Sequence, residues 1–224
     1  MTRSGSEAET GASDAVGFVL AGGRSSRMGT DKATVGFRGQ PLVVHALRIL
    51  REAGLTASIA GARSPLEDIA PLVQDREPDR GPLGGITAAL ASSTLRYAVF
   101  ISVDMPLLPP SLIAFLLDTA RGSRAAVTMT SLKGFAQTFP VVMDRAVLPH
   151  LLGELEAGRC GCFSALQSAA IALCEALVVL PAESIVLPGS AEHIGRRPVE
   201  NWFLNLNSPA DMERAEAFSV DEIA

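Results

Sequence analysis

Cysteine and histidine are scarce in this sequence, and neither is arranged for chemistry. Three cysteines occur in 224 residues, Cys160, Cys162 and Cys174. The odd number rules out a complete disulfide framework, and the 160/162 spacing is too tight for a usual zinc knuckle. Idle thiols in a reducing compartment fit this usage. His45, His150 and His193 are scattered with no ligand-like spacing. Excess positive charge is also missing: the formal net charge is −5, so no global field draws the protein to nucleic acid or anionic lipid. No apolar run is long enough for a bilayer span of ~20 residues; the longest, near Ala169–Leu180, is interrupted by Glu175. The first fifteen residues are small, polar and acidic, without the apolar stretch of a signal peptide. They are expected to form a disordered tail over residues 1–15, ahead of one soluble, cytoplasmic domain over 16–224.

What is present is ordinary globular material, 48% apolar and 19% charged. A chain of this length buries roughly 70–75% of its extended surface and needs no staples. Short β-like runs alternate with helical stretches. Val16–Leu20 is continuously apolar and stops at Ala21-Gly22-Gly23, as a strand buried on both faces would. Pro41 opens a helical stripe of Leu42, Ala46, Leu47, Leu50 and Ala53, closed by Gly54. Strands are expected at Thr56–Ala60, Leu72–Gln74, Tyr97–Val103, Ala125–Thr130, Thr138–Met143 and Phe203–Leu206. Helices are expected at Ile86–Ala91, Pro110–Leu117, Ala146–Glu156, Phe163–Ala170 and Pro209–Phe218. This alternation predicts a single three-layer α/β/α domain with a mostly parallel, Rossmann-like sheet. Ligands of such sheets sit beyond the carboxyl ends of the strands, so the residues following Leu20, Gln74 and Val103 should meet at one site.

Four segments fall at or near those ends. The stretch from Leu20 to Lys32, LAGGRSSRMGTDK, supplies glycines for close backbone approach to an anion, with Arg27 and Lys32 to neutralise it. It is neither a Walker A loop nor G-x-G-x-x-G, and a long polar strand-to-helix connection has the same composition. Asp104, at the end of the clearest strand, is placed to hold Mg²⁺, which takes one or two carboxylates and substrate phosphates. A loop acid or helix cap would look the same. Asp75 opens a Gly- and Pro-shaped segment through Gly85 that reads equally as a turn or as a base-recognition loop. Asn205 and Asn207, at alternate positions of the expected last strand, would share one face. They could bind ligand or bond local backbone, with Ser208 capping the final helix.

Together these segments resemble the MobA-type molybdenum cofactor guanylyltransferases, within the wider group of NTP transferases. The family's LAGGxSxRMGxDK signature is matched from Leu20 through Lys32. Asp104-Met105-Pro106 matches its D-x-P strand end, Gly81 to Gly85 its GPLxG segment, and Asn205 to Pro209 its late N-x-N-S/T-P segment. The likeness runs from about Val16 to Ala217 and implies the fold of the nucleotide-diphospho-sugar transferases. It implies that Leu20, Ala21, Gly22 and Gly23 contact the nucleotide and that Arg27 and Lys32 hold its triphosphate. By the same resemblance Asp75 helps read the base, Asp104 binds Mg²⁺, and Asn205 and Asn207 lie near the reacting phosphates or the acceptor. The departures are Ala62, where the family often carries asparagine, the cysteine-containing Gly158–Cys162 loop, and a longer link over Ser184–Glu200.

The implied reaction is Mg²⁺-dependent transfer of GMP from GTP to the terminal phosphate of a phosphorylated pterin cofactor, releasing pyrophosphate. The acceptor phosphate brings its own nucleophile, which agrees with the lack of any convincing Ser/His or Cys/His arrangement. A cytidylyltransferase acting on the same cofactor or on another phosphorylated small molecule is the alternative within this chemistry. A regulatory nucleotide-binding module without turnover is the alternative outside it. A nucleotide-sugar glycosyltransferase would want a D-x-D motif, which is absent around Asp104.

Overall fold

The computed structural model describes residues 13–22, 32–61, 66–75, 80–185 and 199–218. Its elements in chain order are β1 (Ala15–Leu20), a 3-10 turn at Lys32–Thr34, and a small hairpin of β2 (Gly36–Phe37) and β3 (Gln40–Pro41). Next come α1 (Leu42–Glu52), β4 (Thr56–Ala60), β5 (Leu72–Val73), α2 (Gly81–Ser92), β6 (Tyr97–Ser102) and α3 (Pro110–Ser123). The second half comprises β7 (Val127–Leu132), β8 (Phe135–Asp144), α4 (Leu148–Glu156), α5 (Cys162–Ala172), β9 (Leu177–Pro181) and α6 (Pro209–Glu216). Of the stretch expected as a tail, residues 1–12 lie outside the described residues. Asp14 and Ala15 are joined to the sheet, where the Asp14 carbonyl accepts from Tyr97 N at 2.9 Å.

Seven strands form one sheet in the order β5-β4-β1-β6-β8-β7-β9. β1 is parallel to β4 and β6, β4 to β5, and β7 to β9, while β8 runs antiparallel between β6 and β7. The antiparallel strand follows from a two-residue turn. Lys133 and Gly134 both take positive φ, 52° and 80°, as a type I′ hairpin requires. From β1 the chain moves outward to β4 and β5, then returns through α2 to β6 on the other side of β1. The carboxyl ends of β1 and β6 therefore flank the point where strand order reverses, the usual ligand crevice of such sheets.

Side-chain alternation builds a core on each face. Val19, Ile59, Val99, Ile101 and Val142 pack with α1, α3 and the aromatic pair Trp202 and Phe203. Phe18, Leu20, Phe100, Met129 and Val141 pack with α2, α4 and α5 on the opposite face. This is the three-layer arrangement expected from the sequence. No helix among the described residues is long and apolar enough to cross a membrane.

Two expectations need correction, and one strand adds to them. Phe203–Leu206 is not a strand: a 3-10 turn occupies Val199–Phe203 and the following residues are irregular. Burial of Trp202, Phe203, Leu204 and Leu206 comes from packing on the α1/α3 face, and their apolar character imitated a strand. Gly81-Pro82-Leu83-Gly84-Gly85 is the first turn of α2 rather than a loop, with its proline at a position where the missing N–H costs nothing. β9, the edge strand Leu177–Pro181, was not anticipated, because its apolar run continues almost directly from α5.

The β2–β3 hairpin is held by a buried histidine. His45 Nε2 donates to the Phe37 carbonyl at 2.7 Å, and Nδ1 accepts from Arg48 at 3.1 Å; these partners assign the neutral tautomer. Burial holds the His45 pKa below its ordinary value of 6.5; the Phe37 hydrogen bond opposes that shift, and the Arg48 and Arg38 charges add to it. The unfolded chain thus takes up the proton first. Neutral His45 stabilises the fold above about pH 6.5, and that contribution falls as pH drops below 6.5 toward the folded-state value. Calorimetry from about pH 7 to about pH 5 should show Tm falling more steeply for the wild type than for His45→Gln. Parallel slopes would show that His45 titrates alike in both states.

Candidate active site

β6 ends at Ser102, and its next outward steps are Val103 and Asp104. Val103 N donates to the Leu20 carbonyl at 3.1 Å, continuing the β1–β6 ladder one residue past the strand. This brings the residues that follow β1 and β6 side by side. Asp104 is fixed through three of its oxygens. Ser102 Oγ donates to Oδ1 at 2.6 Å, Lys32 Nζ donates to Oδ2 at 3.2 Å, and Leu206 N donates to the main-chain carbonyl at 2.9 Å.

Lys32 opens the 3-10 turn on which α1 rests, and its ammonium also bonds Asn207 Oδ1. Two oxygens from segments far apart in the chain, Asp104 Oδ2 and Asn207 Oδ1, thereby converge on one cationic nitrogen. The Lys32 and Asp104 side chains are 24% and 16% exposed, so the pair is within reach of solvent and ligand.

Asn207 is held in place by the start of α6. Its backbone N donates to Asp211 Oδ2 at 3.1 Å and to the Asn205 carbonyl at 3.1 Å. Ser208 caps that helix, accepting from Asp211 N at 3.2 Å and donating to Asp211 Oδ2 at 2.7 Å, a reciprocal capping arrangement. The Ser208 hydrogen bond is the main cause that lowers the Asp211 pKa, so its carboxylate is retained. Asn205 behaves differently. Its Nδ2 donates to the Phe203 carbonyl at 3.3 Å, the local backbone bond weighed from the sequence. The two asparagines share no strand face, because there is no strand.

On the other side of β1 the backbone itself comes close. A Cβ placed on Gly22 would lie 2.3 Å from the Gly61 carbonyl oxygen, so no larger residue fits there without displacing main chain. Gly61, which follows β4, has φ +75° and sits against Gly22 and Gly85 of α2. These contacts hold the first residues after β1, the end of β4 and the first turn of α2 within van der Waals distance. Asp75, following β5, lies over the same turn: a Cβ on Gly84 would meet its Oδ2 at 2.5 Å. A carboxylate there is favoured by the amino end of the helix.

The structure thus brings Lys32, Asp104 and Asn207 into direct contact, and sets Leu20, Ala21, Gly22 and Asp75 along the adjoining strand ends. Gly23 and Arg27 lie outside the described residues, as do Ala62 and most of the long link before α6. Sequence reasoning missed Ser102, Asp211 and Gly61. Ser102 carried one available signal, a hydroxyl two positions before a strand-end aspartate. Burial pushes the Cys162 thiol up to about 12, so it remains protonated at neutral pH. Among the described residues no group of three His, Cys, Asp or Glu forms a metal cage. A single carboxylate with an amide oxygen beside it suits Mg²⁺, which fills its remaining positions with water and substrate oxygens.

A doubly wound sheet with a glycine-rich segment after β1 and a carboxylate after β6 defines an α/β protein of the nucleotide-diphospho-sugar transferase type. The chain belongs to the MobA-like NTP transferase domain family, whose model matches residues 17–182; nucleotidyl transfer is the chemistry of that class. A molybdenum cofactor guanylyltransferase of Xanthomonas euvesicatoria is 44% identical over 103 residues, 45% of this chain and 52% of that protein. That match spans only about half the relative's length. A probable molybdenum cofactor guanylyltransferase of Natronomonas pharaonis is 31% identical over 215 residues, 89% of this chain and 95% of that protein. Among solved structures, molybdopterin-guanine dinucleotide biosynthesis protein A from Archaeoglobus fulgidus shares the fold with a TM-score of 0.71 at 19% identity, over 90% of this chain and 96% of that one. Rv0371c of Mycobacterium tuberculosis, solved in complex with manganese, does so with a TM-score of 0.58 at 18% identity, over 92% and 99%.

The glycine contacts are testable by denaturant unfolding. Gly22→Ala forces main chain apart and should lower stability by about 1–3 kcal/mol, as overpacking does. Gly61→Ala has room for its methyl and should cost about 1–2 kcal/mol through its left-handed backbone alone. Unchanged stability in Gly22→Ala would mean that the close approach to Gly61 does not exist in solution.

Proposed function

We propose that this protein transfers GMP from GTP to the terminal phosphate of molybdopterin or its molybdenum-loaded form, in the cytoplasm, with release of pyrophosphate. One observation carries the reading: Lys32, Asp104 and Asn207 converge at the reversal point of the sheet in a member of this family. The names of the relatives supply the nucleotide and the acceptor class.

Asp104 Oδ2 and Asn207 Oδ1 are the oxygens that would hold a divalent cation, Mg²⁺ by the hardness of the donors. When bound, that cation neutralises charge on the triphosphate and on the departing pyrophosphate. Lys32 then leaves Asp104 for the phosphates, where its ammonium offsets the charge that develops as the bond to the α-phosphorus breaks. The backbone from Leu20 through Gly23 contacts the nucleotide, and Arg27 joins Lys32 on the triphosphate. Asp75, at the first turn of α2, accepts from the base. Holding two anionic reactants in line accounts for a large part of the acceleration, on the order of 7–11 kcal/mol in well-oriented reactions. No residue of the protein attacks the nucleotide; the acceptor phosphate does.

The test is pyrophosphate release by purified protein with Mg²⁺ and molybdenum-loaded molybdopterin, with GTP, CTP and ATP offered separately. Release with GTP alone is expected. Asp104→Ala should reduce turnover by about 10²–10³-fold or more, the range for losing one preorganised electrostatic partner. Lys32→Ala should lower kcat rather than only raise KM, because its contact with the phosphates strengthens in the transition state. Release with CTP alone would replace GTP in this reading, and silence with all three nucleotides would overturn it.

A further inference from the structure

An aspartate carboxylate turns about a broad, nearly twofold torsion, so strand-end position alone does not decide which oxygen it offers. Here that choice is made by a neighbour. Ser102 is the last residue of β6, paired in register with Leu20 of β1, and the sheet anchors its backbone. Its Oγ lies 2.6 Å from Asp104 Oδ1 and donates to it. Met105 N donates back to the Ser102 carbonyl at 3.3 Å, closing a tight turn around the aspartate. With Oδ1 occupied, Oδ2 is the oxygen that faces Lys32 Nζ at 3.2 Å, beside Asn207 Oδ1.

We propose that Ser102 is a positioning residue that fixes the orientation of the Asp104 carboxylate, so that Oδ2 is the oxygen turned toward Lys32 and presented to a divalent cation. The inference rests on the reading of Asp104 as the residue that holds that cation. Hydrogen bonds to ligating carboxylates orient them, and losing such a partner typically weakens metal affinity 10–100-fold. Without the Ser102 hydroxyl the carboxylate is free to rotate, and the oxygen it turns toward the site is no longer preset. Ser102→Thr keeps a hydroxyl on a β-branched side chain suited to a strand end. Ser102→Ala removes only the donor.

The experiment uses the full chain and two readouts. Mn²⁺ affinity is measured by electron paramagnetic resonance in the presence of a GTP analogue with an α,β-methylene bridge. The Mg²⁺ concentration for half-maximal pyrophosphate release is measured in parallel, and thermal melts confirm folding. Ser102→Ala should bind Mn²⁺ about tenfold more weakly and need about tenfold more Mg²⁺, with kcat largely recovered at saturating metal. Ser102→Thr should stay close to wild type in both. Wild-type Mn²⁺ affinity in Ser102→Ala would overturn the proposal. So would a Ser102→Thr protein as weak as Ser102→Ala, which would assign Ser102 to packing. A wild-type protein that binds Mn²⁺ but releases no pyrophosphate would overturn the proposed reaction while leaving the Ser102 comparison decisive. A wild-type protein that binds no Mn²⁺ would overturn both.

Discussion

Asp104 is the residue on which three distant parts of this chain close. Its Oδ2 meets a lysine 72 positions earlier, and that lysine meets an asparagine 175 positions later. Its carbonyl holds Leu206, and Leu206 lies in the same buried cluster as Trp202 and Phe203. The carboxyl end of β6 is therefore both the point at which Lys32 is held and the point at which the C-terminal segment is pinned to the sheet. Arg38 makes a second tie between the same two regions. It donates from the β2–β3 hairpin to the Ala215 carbonyl at 3.1 Å and to that of Phe218, satisfying the end of α6. One end of α6 thus sets Asn207 and the other is fastened to the segment that follows Lys32.

The β1–β4 side of the crevice depends on a different constraint, the near absence of side-chain volume. Gly22, Gly61 and Gly85 let β1, β4 and α2 approach main chain to main chain. Gly17 plays a related part in the sheet, where a Cβ would lie 3.0 Å from Leu50 of α1. Close backbone approach is what allows N–H groups to reach an anion without side chains intervening. On the Asp104 side, by contrast, the geometry is set by hydrogen bonds that Ser102, Lys32 and Leu206 donate to Asp104 and that Asp211 accepts from Asn207. One half of the crevice is shaped by what is missing and the other by what is bonded.

Much of the fold was legible because its signals are local. The apolar run of β1, the stripe of α1, the run Tyr97–Ser102 and the proline that opens α3 each declare themselves within a dozen residues. What misled were segments whose local pattern serves a different tertiary purpose. Trp202 to Leu206 is apolar because it packs against α1 and α3, not because it pairs in the sheet. Gly81 to Gly85 has the composition of a loop, yet helix α2 starts there, since its glycines accommodate Asp75 and Gly61. β9 follows α5 so closely that its boundary is set only by pairing with β7.

The sequence by itself determined the alternation of strands and helices, the α/β class, and the residue types available for chemistry: a glycine-rich segment, one lysine, one strand-end aspartate and two asparagines. These follow from burial periods and from side-chain chemistry, which are properties of short stretches. Only the tertiary structure decided which asparagine reaches the lysine, that Asn205 turns back on its own backbone, and that Ser102 bonds one oxygen of Asp104 while Lys32 meets the other. Those outcomes depend on strand order and on the packing of the C-terminal segment across one face of the sheet. Contacts between residues 72 and 175 positions apart are fixed by the burial of two cores at once, and no local pattern encodes them.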